Sequence, residues 1–223
     1  MPNRYVPQVK EKLDIWEMAP LCRFEPDGAE LLDINPDISQ LFDKIGWGNF
    51  LRAFSGHNVE VTRQFALTFK EIVAHIGDIR LEIYEYFIAK ATNQPQRSER
   101  WFKMKEVNKE KLKSFLLPLP EGFDDKNGYL VKYVQPQWEM IFHMIIHYIT
   151  CDGRYSSVPF YHLRILMAFK GSKLILPYFL FKSLQKMAIA VQSTIAEQDR
   201  YIFHRGLVKV LVQYQLSFIN VTS

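Results

Sequence analysis

Residues 136–150 read PQWEMIFHMIIHYIT. If this stretch is a helix that begins at Pro136, large apolar side chains cover most of its circumference and almost no polar face remains. These side chains are Trp138, Ile141, Phe142, Ile145, Ile146 and Ile149. A helix that is apolar nearly all round is typical of the centre of a core. The sequence therefore predicts a helical fold built around this segment.

Two more helices are predicted after it. Pro159 stands where a helix accepts proline, near its first position, and Gly171 follows as an end signal. Pro177 marks a third start. We therefore expect a core built on helices 137–150, 159–169 and 177–195. The Val-rich segment from Leu207 to Phe218 is compatible with either a helix or a strand.

The N-terminal half contains the signs of a small sheet. Ile79, Leu81 and Ile83 alternate with polar residues after a turn at Gly77, which indicates a strand. Residues 59–69 are ambiguous between helix and strand. Short helices are expected from Asp37 and from Trp47, and another after residue 84. The predicted class is mainly α (α+β), a helical bundle core with one small antiparallel β-hairpin near residues 61–83.

Prolines divide the chain at its start. Five of them interrupt residues 1–37, where only a short helix at 9–18 is compatible with the pattern. We predict an irregular N-terminal segment (1–37) and a single mainly helical domain (38–223). That domain is either undivided or formed of two lobes, 38–116 and 130–223.

Composition is that of a globular protein: the 223 residues are 48% hydrophobic and 23% charged. The longest apolar stretch, 174–181, contains Pro177 and is much shorter than a membrane span. The N-terminus lacks the apolar core of a signal peptide. We expect an intracellular protein, nuclear or cytoplasmic, with no transmembrane segment and no membrane partner.

Catalytic and metal-binding motifs are weak. His143 and His147 have the i, i+4 spacing of helical zinc ligands, but Met144 stands where a metalloprotease has its glutamate. Cys151 and His162 are the nearby candidates for further ligands, and their spacing fits no standard zinc site. We find no phosphate-binding loop or nucleophile elbow. The expectation is a protein that is not an enzyme, with no cofactor, metal or small-molecule substrate.

Charge is unevenly distributed over a net value of +4. Residues 133–223 carry 9 basic and 4 acidic side chains, which favours an anionic partner. Basic and aromatic residues alternate in one segment, as in proteins that bind single strands. These candidate contact residues are Arg97, Arg100, Trp101, Phe102, Lys103 and Lys105. A solvated loop with Trp101 and Phe102 packed beneath it explains the same pattern.

Several short motifs carry a resemblance to known families. They are WGNFL (47–51), GHN (56–58), VTRQFALTF (61–69), IGDI (76–79), FIAKAT (87–92) and ERWFK (99–103). Over about residues 40–215 the chain resembles plant proteins of transposon origin, the plant transposon protein domain and the related plant mobile domain. The resemblance implies a helix, a two-strand segment, a helix and then a helical half. It also implies an accessory or domesticated, non-transposase domain, and it carries over no catalytic or ligand position.

These observations lead to two functional expectations. The first is a non-enzymatic interaction domain of plant transposable-element origin that contacts an unknown protein partner or a second copy of itself, with Trp16, Trp101 and Phe102 as anchors. The alternative is a nucleic-acid-binding protein that uses the basic C-terminal half and the Arg97–Lys105 loop.

Overall fold

The computed structural model describes residues 36–53, 59–94, 109–124, 128–150, 157–172, 174–193 and 204–219. The α-helices are α1 (Pro36–Lys44), α2 (Gly48–Arg52), α3 (Val59–Thr68), α4 (Glu85–Ala91), α5 (Lys109–Lys113), α6 (Pro136–Met144), α7 (Phe160–Leu166), α8 (Leu176–Gln192) and α9 (Arg205–Ile219). The strands are β1 (Val73–Ile76), β2 (Ile79–Glu82), β3 (Tyr129–Leu130) and β4 (Ser157–Val158). The predicted mainly helical class with a small hairpin is confirmed.

The hairpin is shorter than predicted. β1 and β2 pair antiparallel from Val73↔Glu82 to Ile76↔Ile79, and Gly77 turns the chain with a φ of 54°. The prediction of strand structure from residue 61 is wrong, because α3 occupies this part. Its buried positions are Thr62, Phe65, Ala66 and, just beyond its end, Phe69, which is helical spacing. A polar threonine at one of these positions hides the helical stripe in the sequence.

The predicted central segment is the core of the molecule. α6 continues directly into a π-helical turn, Ile145–Thr150, and Ile141, Phe142, Ile145 and Ile146 are fully buried. The next predicted helix is α7 followed by a 3-10 turn, Met167–Lys170. The third is α8, which packs against α3, α4 and the π-helical turn. The ambiguous C-terminal segment is the helix α9.

A second, smaller sheet joins distant parts of the chain and was not predicted. β3 and β4 pair antiparallel through Tyr129↔Val158 and Leu130↔Ser157. Gly128 precedes β3 with a φ of 94°, a conformation that favours glycine. Gly128 also lies very close to β4: a Cβ added to this residue would lie 2.6 Å from the Val158 carbonyl oxygen.

The two predicted lobes are in contact. α8 and α9, from the second predicted lobe, pack against α3 and α4, from the first. Gln192 of α8 donates from its side-chain amide to the carbonyl oxygens of Ala66 (2.9 Å) and Phe69 (2.8 Å). One buried apolar cluster extends from Ile38 to Val212.

Two further expectations concern other parts of the chain. Residues 1–35, with the short helix predicted at 9–18, lie outside the described residues. Among the helices that the structure describes, none is long and apolar enough to cross a membrane.

Candidate interaction surface

The residues singled out in the sequence fall in different places. The candidate contact residues Arg97, Arg100, Trp101, Phe102, Lys103 and Lys105 lie outside the described residues, as do Trp16 and Cys151. Their role therefore stays a prediction.

The histidines near the π-helical turn have polar neighbours. His143 Nε2 lies 3.9 Å from a Glu139 carboxylate oxygen, one helical turn earlier. His162 is fully buried, and its Nε2 is hydrogen-bonded to Thr150 Oγ1 at 2.9 Å. Ser183 Oγ donates to the Thr150 carbonyl oxygen at 2.8 Å. Over the described ranges there is no group of three or more His, Cys, Asp or Glu side chains that could hold a metal.

His204 is a buried titratable group that the sequence did not reveal. It stands directly before α9 with a φ of 55° and is 7% exposed. Burial, and to a lesser extent the charge of His147, lower the pKa of His204 to about 3. The imidazole is therefore neutral at physiological pH and belongs to the core.

Five aromatic side chains form a continuous row at the junction of α4 and α9. We call this set, Tyr84, Tyr86, Phe87, Tyr214 and Phe218, the aromatic row. The ring centres of Tyr84 and Tyr86 are 6.2 Å apart with nearly parallel planes, and those of Tyr84 and Phe87 are 6.4 Å apart. Phe87 then contacts Tyr214 at 5.4 Å, and Tyr214 contacts Phe218 at 4.9 Å, both edge to face. The row therefore joins two helices that are distant in sequence.

The α9 end of the row is exposed at the last position of the apolar stripe of this helix. Leu207, Leu211, Tyr214 and Phe218 follow one another at helical spacing. Leu207 and Leu211 are fully buried, Tyr214 is half-buried, and Phe218 is 52% exposed. The apolar stripe thus begins in the core at Leu207 and ends at the exposed ring of Phe218.

The other end of the row is formed at the start of α4. Phe87 and Ile88 face the core, whereas Tyr84 is 43% and Tyr86 52% exposed. Lys90, one turn after Tyr86, holds its ammonium 5.6 Å from the centre of the Tyr86 ring. This end combines apolar ring surface with a positive charge.

The arrangement of the rings in the row favours binding. Neighbouring rings restrict one another, so these side chains lose little entropy when a partner covers them. Tyrosine is enriched among residues that dominate binding energy. Among the residues the structure describes, none hydrogen-bonds the hydroxyl of Tyr84, Tyr86 or Tyr214.

Sequence reasoning missed the aromatic row. A signal was present in α9, where Tyr214 and Phe218 extend the spacing of Leu207 and Leu211. The contact of α4 with α9 has no such signal in the sequence, because more than a hundred residues separate the two helices.

No protein-family model, curated protein or solved structure matches the chain.

Proposed function

We propose that this chain is a non-enzymatic interaction domain that binds a protein partner through the aromatic row. The observation that carries the proposal is a continuous row of five rings in which Tyr86 and Phe218 are each about half exposed. The resemblance to plant transposon-derived families supports a plant transposable-element origin and an accessory or domesticated role.

The size of the expected effect follows from the exposed ring surface. Covering the exposed half of one large aromatic side chain contributes about 1 kcal/mol. The two outer rings together would then account for about a tenfold to thirtyfold change in affinity. The tyrosine hydroxyls add hydrogen-bonding capacity at the same surface.

The test compares three purified forms of the protein as bait in plant extract. They are the wild type, the double variant Tyr86→Ala with Phe218→Ala, and Ile189→Ala. Ile189 is the matched control because it is a 69% exposed apolar residue on α8, whereas the row lies on α4 and α9. We expect a protein that the wild type and the control both retain and that the double variant loses.

Direct binding and self-association measurements complete the test. The captured protein is purified and its affinity for all three forms is measured by interferometry. Sedimentation velocity of the chain alone shows whether the partner is a second copy. If every captured protein binds the double variant as tightly as the wild type, and self-association is also unchanged, the proposal is wrong.

One observation favours nucleic acid as a second candidate partner. α8 and α9 contain four basic residues, Lys182, Lys186, Arg205 and Lys209, and no acidic residue. Lys182 and Lys186 are exposed. Fluorescence anisotropy with labelled single- and double-stranded DNA and RNA across a salt series tests this candidate. Counterion release requires an affinity that falls linearly on a log–log salt plot, so absence of binding at low salt excludes it.

A further inference from the structure

Lys170 makes an unusual set of contacts for an exposed lysine. It is the last residue of the 3-10 turn Met167–Lys170, and Gly171 follows with a φ of 89°. Its ammonium donates to the carbonyl oxygen (3.1 Å) and to the hydroxyl oxygen (2.6 Å) of Ser114. Ser114 directly follows α5 and lies 56 residues away in the sequence. The side chain therefore connects two distant parts of the fold.

Two aromatic rings complete the site of this ammonium. Lys170 Nζ lies 4.2 Å from the centre of the Phe115 ring and 5.6 Å from that of Trp138. The two rings are 5.0 Å apart and almost perpendicular, at 81°. They form two walls of a corner, and the faces of aromatic rings attract cations.

The hydrogen bonds at this corner require Lys170 to be the donor, and its positive charge strengthens them. Ser114 Oγ donates its own proton to the Lys111 carbonyl oxygen at 2.6 Å, so towards Lys170 it acts as an acceptor. The Ser114 carbonyl lies at the C-terminal end of α5, where the helix dipole also favours a cation. A neutral side chain at position 170 would lose the cation–π attraction and the charge-assisted hydrogen bonds together.

α5 is the element that depends on these contacts. It has five residues, too few for a helix to be stable without tertiary contacts. Leu112 and Phe115 are buried and anchor one side of it. Lys170 holds its C-terminal end at Ser114.

We propose that Lys170 is a charge-dependent latch on α5 and that N-acylation of this lysine opens the latch. Acyl transfer from a thioester forms an amide bond at Nζ and breaks the carbon–sulfur bond of the donor. The ammonium loses two protons, of which one goes to the departing thiol and one to solvent. The product is a neutral amide, which keeps the methylene chain of the lysine, adds the acyl group and removes the charge.

Amide hydrogen exchange tests the latch on the complete chain. The amides of Ser114, Phe115 and Leu116 donate to Lys111, Leu112 and Lys113 and report on this turn. Loss of the latch predicts exchange about tenfold faster at these amides in Lys170→Gln. Lys170→Arg retains the charge and restores slow exchange.

Two further forms complete the experiment. Lys182→Gln is the matched control, because Lys182 also lies over two rings, at the longer distances of 5.9 and 5.8 Å, on α8. It leaves exchange at 114–116 unchanged. Acetyl-lysine incorporated at position 170 reproduces the Lys170→Gln result. The proposal is overturned if the amides of residues 114–116 exchange at the wild-type rate in Lys170→Gln. It is also overturned if amide exchange in this variant becomes faster within α8 by the same factor as at 114–116, or if acetyl-lysine at position 170 leaves the amides of 114–116 at the wild-type rate.

Discussion

Replacing His204 with asparagine is expected to remove part of the acid sensitivity of the fold. Asparagine is the appropriate substitution because it tolerates the positive φ of 55° at this position better than most residues and does not titrate. The pKa of His204 is lowered from 6.5 to about 3 in the folded protein, first by burial and then by the charge of His147. Between these values the unfolded chain binds a proton that the folded protein does not.

The sign of the effect follows from this difference. The contribution of neutral His204 to the free energy of unfolding is fully present above pH 6.5. It is lost as the pH falls towards 3, because the unfolded chain binds a proton over this range and the folded protein does not. One pKa unit corresponds to about 1.4 kcal/mol, so the full loss is about 4 to 5 kcal/mol. About 2 kcal/mol of it falls between pH 6.5 and about pH 5.

Urea unfolding followed by circular dichroism, at a series of pH values, measures this contribution. The free energy of unfolding of the wild type should decline more steeply on acidification than that of His204→Asn, by about 2 kcal/mol at about pH 5. Carboxylates contribute to acid unfolding in both proteins and cancel in the comparison. His75→Asn, at an exposed histidine, is the control and should follow the wild type. Parallel pH profiles for the wild type and His204→Asn would refute the reasoning.

Three substitutions test the core, each by urea unfolding at neutral pH. Gly128→Ala should lower the free energy of unfolding by about 2 kcal/mol or more, because the added Cβ would lie 2.6 Å from the Val158 carbonyl oxygen and the φ of this residue is positive. An unchanged free energy of unfolding would contradict the close approach of β3 and β4. Thr150→Val keeps the side-chain shape but removes the hydrogen bond to His162, and should cost about 1 to 3 kcal/mol. A neutral result would show that this bond contributes nothing. Leu211→Ala should cost about 2 to 5 kcal/mol because Leu211 is fully buried, and a cost below 1 kcal/mol would mean that α9 is not part of the core.

Much of the helical core was predictable because its information is local. The apolar residues of α6 and the π-helical turn recur so densely that burial was the natural interpretation, and Pro159 and Pro177 indicated the starts of α7 and α8 within one residue. The prediction of a hairpin turn at Gly77 is also confirmed. These features depend on spacing along a few turns of chain, which a sequence shows directly.

Prediction from the sequence failed where the local signals conflict, as in α3. In α3 the alternation of Val61, Phe65, Leu67 and Phe69 suggests a strand, yet Val61 and Leu67 are only half-buried. The position that completes the helical stripe is Thr62, a fully buried polar residue. Packing against α8 and β1 decides the outcome, because tertiary contacts override a weak periodicity.

The sequence by itself determined the helical class, the central segment, the hairpin turn and the charge asymmetry, since each depends on composition or on neighbours a few residues apart. The tertiary structure alone decided the features that carry the proposals. Phe87 meets Tyr214, and Lys170 meets Ser114 and Phe115, only because the chain returns to the same place after a long separation. Likewise, the low pKa of His204 arises from burial, which a residue acquires from the whole fold and not from its neighbours in sequence.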